Sequence, residues 1–237
     1  MDLSYRSYQK ELLDRTDIPF DDIALNMKEL NFINTYLGGH HITVNGLQRI
    51  LSDSKIVAGK LLVCEIGCGG GDNLQVIYDW CVRKKIQIDT IGIDINPDCI
   101  SYAEKSTRIP NARWIASDYK FTTFIQQPHI IFNSLFCHHF DDAQMISILK
   151  WMNANATMGF FINDLHRHQI AFYSIKLLTK LFSKSYLVKN DAPLSVQRGF
   201  TRIELERYLR EAGIIQYSIE WKWAFRWLIT SKRNSNN

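Results

Sequence analysis

The stretch LLVCEIGCGGGDNL, residues 61–74, decides how this sequence is interpreted. Residues 61–66 form an almost continuous apolar run, which is typical of a strand buried on both faces. Four glycines follow within five positions: Gly67, Gly69, Gly70 and Gly71. Glycine accepts positive φ angles and lets a ligand approach the backbone, and a helix that begins there offers free N–H groups to a ligand. The stretch therefore predicts a strand, a ligand-binding loop and a helix.

The same alternation of strand and helix continues to residue 165. Further apolar runs predict strands at residues 90–95, 112–118, 129–136 and 157–165. Between them, Asn96-Pro97-Asp98 and Asp141-Asp142 carry the capping residues that begin helices. Near the C-terminus two apolar runs flank Ala224 and predict a hairpin. We expect an α/β protein with a Rossmann-like, mostly parallel seven-stranded sheet that ends in an antiparallel hairpin.

Two segments lie outside this alternation, a helical cap (1–50) and a lid insertion (167–200). The rest of the chain is divided into a cofactor-binding core (51–166) and a C-terminal helix and hairpin (201–237). Within the insertion, Ile170, Tyr173, Leu177 and Leu181 recur at helical spacing on a basic helix. We interpret this stripe as a core or pocket-lid face; contact with an anionic membrane is the less favoured alternative.

The composition narrows the class of protein. The chain has 237 residues, 46% of them apolar, so we expect a single domain with a full core. The net charge of +4 neither requires nor excludes a nucleic acid, and the expectation of no nucleic-acid partner rests on the motifs described below. The five cysteines form no CxxC pair, and the N-terminal stretch lacks the features of a signal peptide. We therefore expect a cytoplasmic protein with free thiols.

Acidic residues stand at the ends of three predicted strands. Asp94 can accept hydrogen bonds from ribose hydroxyls, and Asp118 from an adenine amine. Glu65, two positions before the first glycine, is unfavourable beside a pyrophosphate because like charges repel, but it suits an ammonium or a sulfonium. This pattern disfavours a dinucleotide-dependent dehydrogenase and indicates a nucleoside that carries positive charge.

On these residues the sequence resembles class I S-adenosylmethionine-dependent methyltransferases, whose first motif reads much like ExGCGxG. The resemblance continues through residues 92–100, 115–120 and 130–140. It implies that S-adenosylmethionine is the cofactor and S-adenosylhomocysteine the product. The cofactor-binding residues that it implies are Glu65, Gly67, Cys68, Gly69, Asn73, Asp94, Ile95, Asp118, Tyr119, Asn133 and Ser134.

The stretches NDLHRH (163–168) and PLSVQRGFT (193–201) resemble those of small bacterial methyltransferases that modify quinones, phenols and polyketides. This resemblance implies a monomer or homodimer that acts on a small, largely apolar acceptor with a phenolic or enolic hydroxyl. C-methylation of a ring and a non-catalytic partner role remain alternatives. Residues 133–136 read NSLF and lack the prolines of amino-methyltransferases of DNA and RNA, which disfavours methylation of a base amine.

A phenol attacks far better as a phenolate, so a general base with a pKa near 7 is expected, and histidine meets that need. We predict His166 as the base and His138 as the second candidate, with Asp164 orienting a histidine or the acceptor. His139 is interpreted as structural. No metal is expected, because Asp141-Asp142 are interpreted as a helix start.

Overall fold

The computed structural model describes residues 3–15, 17–52 and 59–233. These residues form eight α-helices and one seven-stranded sheet. The strands are β1 (Leu61–Ile66), β2 (Ile88–Asp94), β3 (Arg113–Ala116), β4 (Ile130–Ser134), β5 (Gly159–Leu165), β6 (Ser218–Lys222) and β7 (Arg226–Lys232). The helices are α1 (Phe20–Tyr36), α2 (Gly39–Leu51), α3 (Asp72–Arg83), α4 (Pro97–Ser106), α5 (Asp142–Asn155), α6 (Gln169–Phe182), α7 (Tyr186–Arg198) and α8 (Arg202–Glu211).

The sheet confirms the predicted fold class. Its strand order is β3-β2-β1-β4-β5-β7-β6. The first five strands in this order pair in parallel, whereas β7 pairs antiparallel with both β5 and β6. The chain runs outward from β1 to β3 and then returns to place β4 on the other side of β1. In such sheets ligands bind beyond the carboxyl ends of the strands at this reversal.

The helix starts follow the capping chemistry of the sequence. The Asn96 side chain accepts a hydrogen bond from the Asp98 N–H at 2.9 Å, with Pro97 at the first position of α4. Asp141 and Gln144 form a capping box at the start of α5. Such caps stabilise a helix by about 1 kcal/mol each. The prediction that the Asp141-Asp142 pair begins a helix is therefore confirmed.

The core lies in two layers, one on each face of the sheet. One layer packs α5 and α8 against the sheet around residues such as Ile148, Leu149 and Tyr208. The other packs α2 and α3 against it around Leu47, Leu74 and Ile77. The two layers leave the carboxyl ends of β1, β4 and β5 to be covered by α1, α6, α7 and the N-terminal residues.

Two expectations about the covering segments were wrong, and one helix was not predicted. The predicted helical cap begins only at Phe20, because residues 3–11 lack helix or strand. Helix α7 was missed because Pro193 lies inside it, and proline normally breaks a helix interior. The stripe on α6 is exposed rather than buried, since Ile170, Tyr173, Leu177 and Leu181 are 54–63% exposed.

No described helix is long and apolar enough to cross a membrane.

Candidate functional site

The glycine loop connects β1 to α3 at the reversal point of the sheet. Gly67, Gly69 and Gly71 all have positive φ angles, of 67°, 48° and 76°. A Cβ on Gly67 would lie 2.2 Å from the Phe136 ring, so a larger residue is excluded there. At Gly69, by contrast, no described atom lies within 4 Å of the Cβ position. The Gly69 backbone is therefore open to a ligand.

Glu65 is the most unusual polar group beside this loop. Its side chain is fully buried, and neither carboxylate oxygen accepts a hydrogen bond of good geometry from the described residues. Burial raises the pKa of Glu65 well above its ordinary value and the nearby charges of Asp72 and Asp94 raise it further, although weaker contacts with the Leu74 N–H and the Asn73 side chain oppose this shift. A buried carboxyl without a partner is costly unless a ligand supplies one. The site therefore favours a ligand with a positively charged or hydrogen-donating group.

Asp94 joins the glycine loop to the end of β2. Its carboxylate accepts hydrogen bonds from the Gly69 N–H at 2.8 Å and the Asn96 N–H at 2.9 Å. Ile95, the next residue, is 73% exposed despite its apolar side chain. The Ser117 N–H donates to the Asp94 carbonyl at 2.9 Å, which brings the end of β3 alongside. The predicted ribose-binding and adenine-binding positions therefore lie next to one another.

Asp118 and Tyr119 follow β3. The Asp118 carboxylate accepts a hydrogen bond from the Lys120 N–H at 3.0 Å and caps a short 3-10 turn. Tyr119 is buried and packs edge-on against Trp151, with ring centroids 5.1 Å apart. Its hydroxyl has no hydrogen-bond partner among the described residues, and burial raises its pKa.

The other predicted cofactor residues sit in buried polar networks. The Asn133 amide oxygen accepts a hydrogen bond from the Cys137 thiol at 3.3 Å. Ser134 accepts one from the Asn163 amide at 3.3 Å. The Asn73 oxygen accepts a hydrogen bond from the Thr43 hydroxyl at 3.0 Å, which ties α3 to α2. Cys68 is buried within the core layer that contains α3.

A cavity of about 370 Å³ lies beyond the ends of β4 and β5. Its walls are mostly apolar and come from α1, α6, α7 and the turn between β6 and β7. The apolar lining residues include Leu30, Ile33, Leu37, Leu135, Ile175, Leu178, Val188 and Phe225. Leu135, directly after β4, has a φ of 53°, which is uncommon for a non-glycine residue and is found in functional sites. This volume suits a small organic molecule.

One polar corner of the cavity is formed by His138, His139 and Glu11. The Nδ1 atom of His138 lies 2.8 Å from Oδ1 of Asp164, and the His138 backbone N–H donates to Oδ2 at 3.2 Å. Burial by itself would raise the pKa of Asp164, but the charge and hydrogen bond of His138 outweigh it and lower the pKa. The Nε2 atom of His138 lies 3.6 Å from Glu11, which is beyond a strong hydrogen bond.

Glu11 was not predicted as a site residue, and it reaches the cavity on the N-terminal strap, residues 3–15. The Asp191 carboxylate accepts hydrogen bonds from the N–H groups of Leu12 and Leu13 at 2.8 and 2.9 Å. Glu11 itself accepts one from the Ser195 hydroxyl at 2.7 Å. Both contacts anchor the strap to α7. A lone acid far from the other site residues in sequence gives no signal of this role.

The same corner has the donor set for a metal ion. One ligand atom from each of Glu11, His138 and His139 lies within 4.8 Å of the others. Arg198 also reaches this corner, with its Nε atom 3.9 Å from the Glu11 carboxylate. Burial by itself would lower the pKa of His139, but its hydrogen bond to Asp14 and the charge of Glu11 raise it.

His166 has a different environment. It is not among the residues that line the cavity; it packs against Trp227 and His168, with ring centroids 4.8 and 5.3 Å away. Burial, with the nearby charges of His168 and Arg167, lowers its pKa to about 4. Asp164, whose carboxylate contacts His138, has no hydrogen bond to the His166 ring among the described contacts. The structure thus brings His138 and Asp164 together and leaves His166 apart.

Four arginines of the described residues are buried around the site, and one of them, Arg6, donates to the His138 backbone carbonyl at 3.1 Å. Arg226 lines the cavity and donates to Asn34 at 2.7 Å, but its Nη1 atom has no partner among the described residues. Burial lowers its pKa to about 10, while the charges of Asp164 and Asp72 oppose that shift. Arg167 binds Glu204 through two hydrogen bonds, and Arg198 donates to the backbone carbonyls of His138 and His139. Those two arginines are therefore structural.

The comparisons with known proteins agree with this geometry. Residues 63–157 match a family model described as a methyltransferase domain. No curated protein matches the chain in sequence. The plantazolicin methyltransferase BpumL, solved in complex with SAH, is a similar structure with a TM-score of 0.66 and 18% identity, over 92% of this chain and 91% of that one.

Two further structures support the fold. The magnesium protoporphyrin IX methyltransferase from Synechocystis PCC 6803 has a TM-score of 0.56 and 12% identity over 86% of this chain and 87% of its own. A putative O-methyltransferase from Nostoc punctiforme PCC 73102 has a TM-score of 0.59 and 12% identity over 86% of this chain and 59% of its own. Residues 63–157 thus match a methyltransferase domain, and the described residues share the fold of these solved methyltransferase structures.

Proposed function

We propose that this protein catalyses methyl transfer from S-adenosylmethionine to a hydroxyl of a small, largely apolar acceptor. The observation that carries the proposal is the buried Glu65 carboxyl, without a partner beside the open backbone of Gly69. S-adenosylmethionine fits this pair because it has an ammonium and a sulfonium and no pyrophosphate. It would supply an electrophilic methyl group on sulfur.

The residues around the loop offer one partner to each part of that cofactor. Glu65 would bind the ammonium, while Asp94 would accept from the ribose and Ile95 would cover the adenine. The unpartnered Nη1 of Arg226 offers a donor for an anionic group, and the methionine carboxylate is the group we assign to it. These assignments use groups that have open hydrogen-bonding capacity or exposed apolar surface in the structure.

The cavity supports an apolar acceptor. Its walls are mainly aliphatic and aromatic, and its polar groups are concentrated in one corner. Such a shape orients a molecule with a single reactive oxygen, and holding two reacting groups in line can lower a barrier by roughly 7–11 kcal/mol. Dry walls also favour a reaction in which charge on sulfur disappears.

His138, rather than His166, is the base that the geometry favours. Asp164 holds Nδ1 at 2.8 Å, so Nδ1 carries the proton and Nε2 is left as the acceptor toward the cavity. A base oriented by a second group in this way is a recurrent catalytic arrangement. His166 lies outside the cavity, and its pKa of about 4 makes it a weak base at neutral pH.

Calorimetry with S-adenosylhomocysteine tests the cofactor half of this proposal. We expect binding with a dissociation constant in the micromolar range or tighter, and no binding would favour a non-catalytic partner role. Labelled S-adenosylmethionine with a panel of alkylphenols and enolic polyketides then tests the acceptor half. NMR of the product distinguishes a methoxy group from a ring methyl group.

A further inference from the structure

The outer face of α6 is an apolar surface on the outside of the molecule. Ile170, Tyr173, Leu177 and Leu181 form one stripe, and Phe182, at the end of the helix but off this stripe, is also 76% exposed. The helix is held to the protein by another face, where Ala171, Phe172 and Thr179 are buried. Several exposed large apolar side chains on one helix are unusual for a surface that only meets water.

The charged side chains on α6 and directly after it are lysines, and the nearest acid in contact is Glu29 of α1, which accepts a hydrogen bond from the Lys184 backbone N–H at 2.7 Å. Lys176, Lys180 and Lys184 are exposed, and no carboxylate of the described residues lies within 4.0 Å of their ammonium groups. The sequence has no aspartate or glutamate between Asp164 and Asp191. The helix therefore combines an apolar stripe with positive charge that nothing on its own segment neutralises.

We propose that α6 lies in the surface of an anionic lipid bilayer. Amphipathic helices with leucine and aromatic side chains on one face and lysines beside them bind at this depth, without crossing the bilayer. The lysines would contact lipid phosphates, and each contributes about 1 kcal/mol near such a surface. A second copy of the chain is a poorer occupant, because a twofold contact would bring the same lysines together.

This surface is continuous with the acceptor cavity. On the inner side of α6, Ser174, Ile175 and Leu178 line that cavity, and Leu178 is also 40% exposed. An apolar acceptor dissolved in lipid would therefore reach the cavity beside α6 without passing through water. This consequence rests on the proposed function, whereas the membrane contact itself does not.

Sedimentation with vesicles tests the proposal. The full-length protein is mixed with vesicles of phosphatidylcholine alone or of phosphatidylcholine with phosphatidylglycerol, and we expect it to sediment only with the anionic vesicles. The double variant Leu177→Glu/Leu181→Glu should lose about tenfold or more in partition coefficient, since two apolar side chains that the bilayer would cover become charged. The matched control is Ile203→Glu/Ile215→Glu, which changes two exposed isoleucines away from α6 and should bind as the wild type does.

The charge contribution is measured separately. Lys176→Gln/Lys180→Gln should weaken binding to anionic vesicles about 25-fold, at roughly fivefold for each lysine, while Lys105→Gln/Lys150→Gln should not. The proposal would be overturned if the wild type bound neutral vesicles as tightly as anionic ones, or if both double glutamate variants lost the same binding affinity. A dimer of the wild type that dissociates in the α6 variants would overturn it as well. Calorimetry with S-adenosylhomocysteine on each variant shows that the fold is retained. Vesicle binding without S-adenosylhomocysteine binding would refute the cofactor assignment alone.

Discussion

Replacing Glu65 with glutamine removes an ionisable group from a fully buried position and keeps the shape of the side chain. Because burial and the charge of Asp72 raise the pKa of this carboxyl above 4.5, ionisation is unfavourable in the ligand-free fold. A group whose pKa is raised by folding contributes stability below its unfolded pKa, and that contribution is lost as the pH rises. We therefore expect Glu65→Gln to melt at a higher temperature than the wild type at neutral pH, and the two to converge near pH 4.5.

Binding of a cationic ligand should reverse this order. A hydrogen bond to a charged group contributes about 1.5–3 kcal/mol, and 1.4 kcal/mol corresponds to tenfold in affinity. The dissociation constant of S-adenosylhomocysteine should therefore rise by about 10- to 150-fold in the variant. S-adenosylhomocysteine keeps the ammonium but lacks the sulfonium, so an equal loss for S-adenosylmethionine assigns Glu65 to the ammonium. A larger loss for S-adenosylmethionine assigns it to the sulfonium.

Thermal melting and calorimetry in two buffers of different ionisation enthalpy measure both effects. A cation beside Glu65 lowers its pKa, so the wild type should release protons on binding and the variant should not. Glu104→Gln, at an exposed position on α4, is the matched control. An unchanged dissociation constant, or a Glu65→Gln protein less stable than the wild type at neutral pH, would refute this reasoning.

Three further predictions follow from the rest of the site. Asp164→Asn should lower kcat by about 10²- to 10⁴-fold, because His138 loses its orienting partner, and the affinity for S-adenosylhomocysteine should not change. The control variant His166→Gln should leave kcat unchanged. Zinc should inhibit the protein by binding to Glu11, His138 and His139, and EDTA should then restore activity. EDTA added alone should have no effect. A loss of activity in EDTA alone would show that the protein requires a metal. Arg226→Met should weaken binding of S-adenosylhomocysteine about 10- to 100-fold, but it should not weaken binding of methylthioadenosine, which lacks the carboxylate. Calorimetry that finds equal losses for both ligands would contradict the assignment of Arg226 to the methionine carboxylate.

The centre of the sheet was predictable because β1 and β4 are buried on both faces. An almost continuous apolar run such as Leu61–Ile66, interrupted only by Glu65, has few alternatives to a central parallel strand. The helix starts were predictable because a cap is a local signal, as at Asn96 and Asp141. The contacts of Asp94 with the glycine loop also follow from strand order, since the ends of adjacent parallel strands meet at one edge.

The acceptor side was less predictable because its residues come from distant parts of the chain. Glu11 faces His138 across 127 positions in sequence, and nothing local marks either residue as a neighbour of the other. Helix α7 could not be predicted because Pro193 lies inside it, yet this helix anchors the N-terminal strap and forms part of the cavity wall. The choice between His138 and His166 depends on which ring faces the cavity, and two histidines that follow strand ends look alike in sequence.

The division between these two halves has a physical origin. A cofactor with fixed charges needs donors and acceptors at fixed positions, and strand ends in a rigid sheet supply them, so the requirement appears as short motifs. An apolar acceptor needs mainly volume and dry walls, which many combinations of leucine, isoleucine and valine provide. The outer face of α6 follows the same logic, because a lipid surface recognises a stripe and a charge rather than a particular residue. Single residues such as Glu65 therefore indicate the methyl donor from the sequence, whereas the acceptor depends on the shape and surroundings of the cavity.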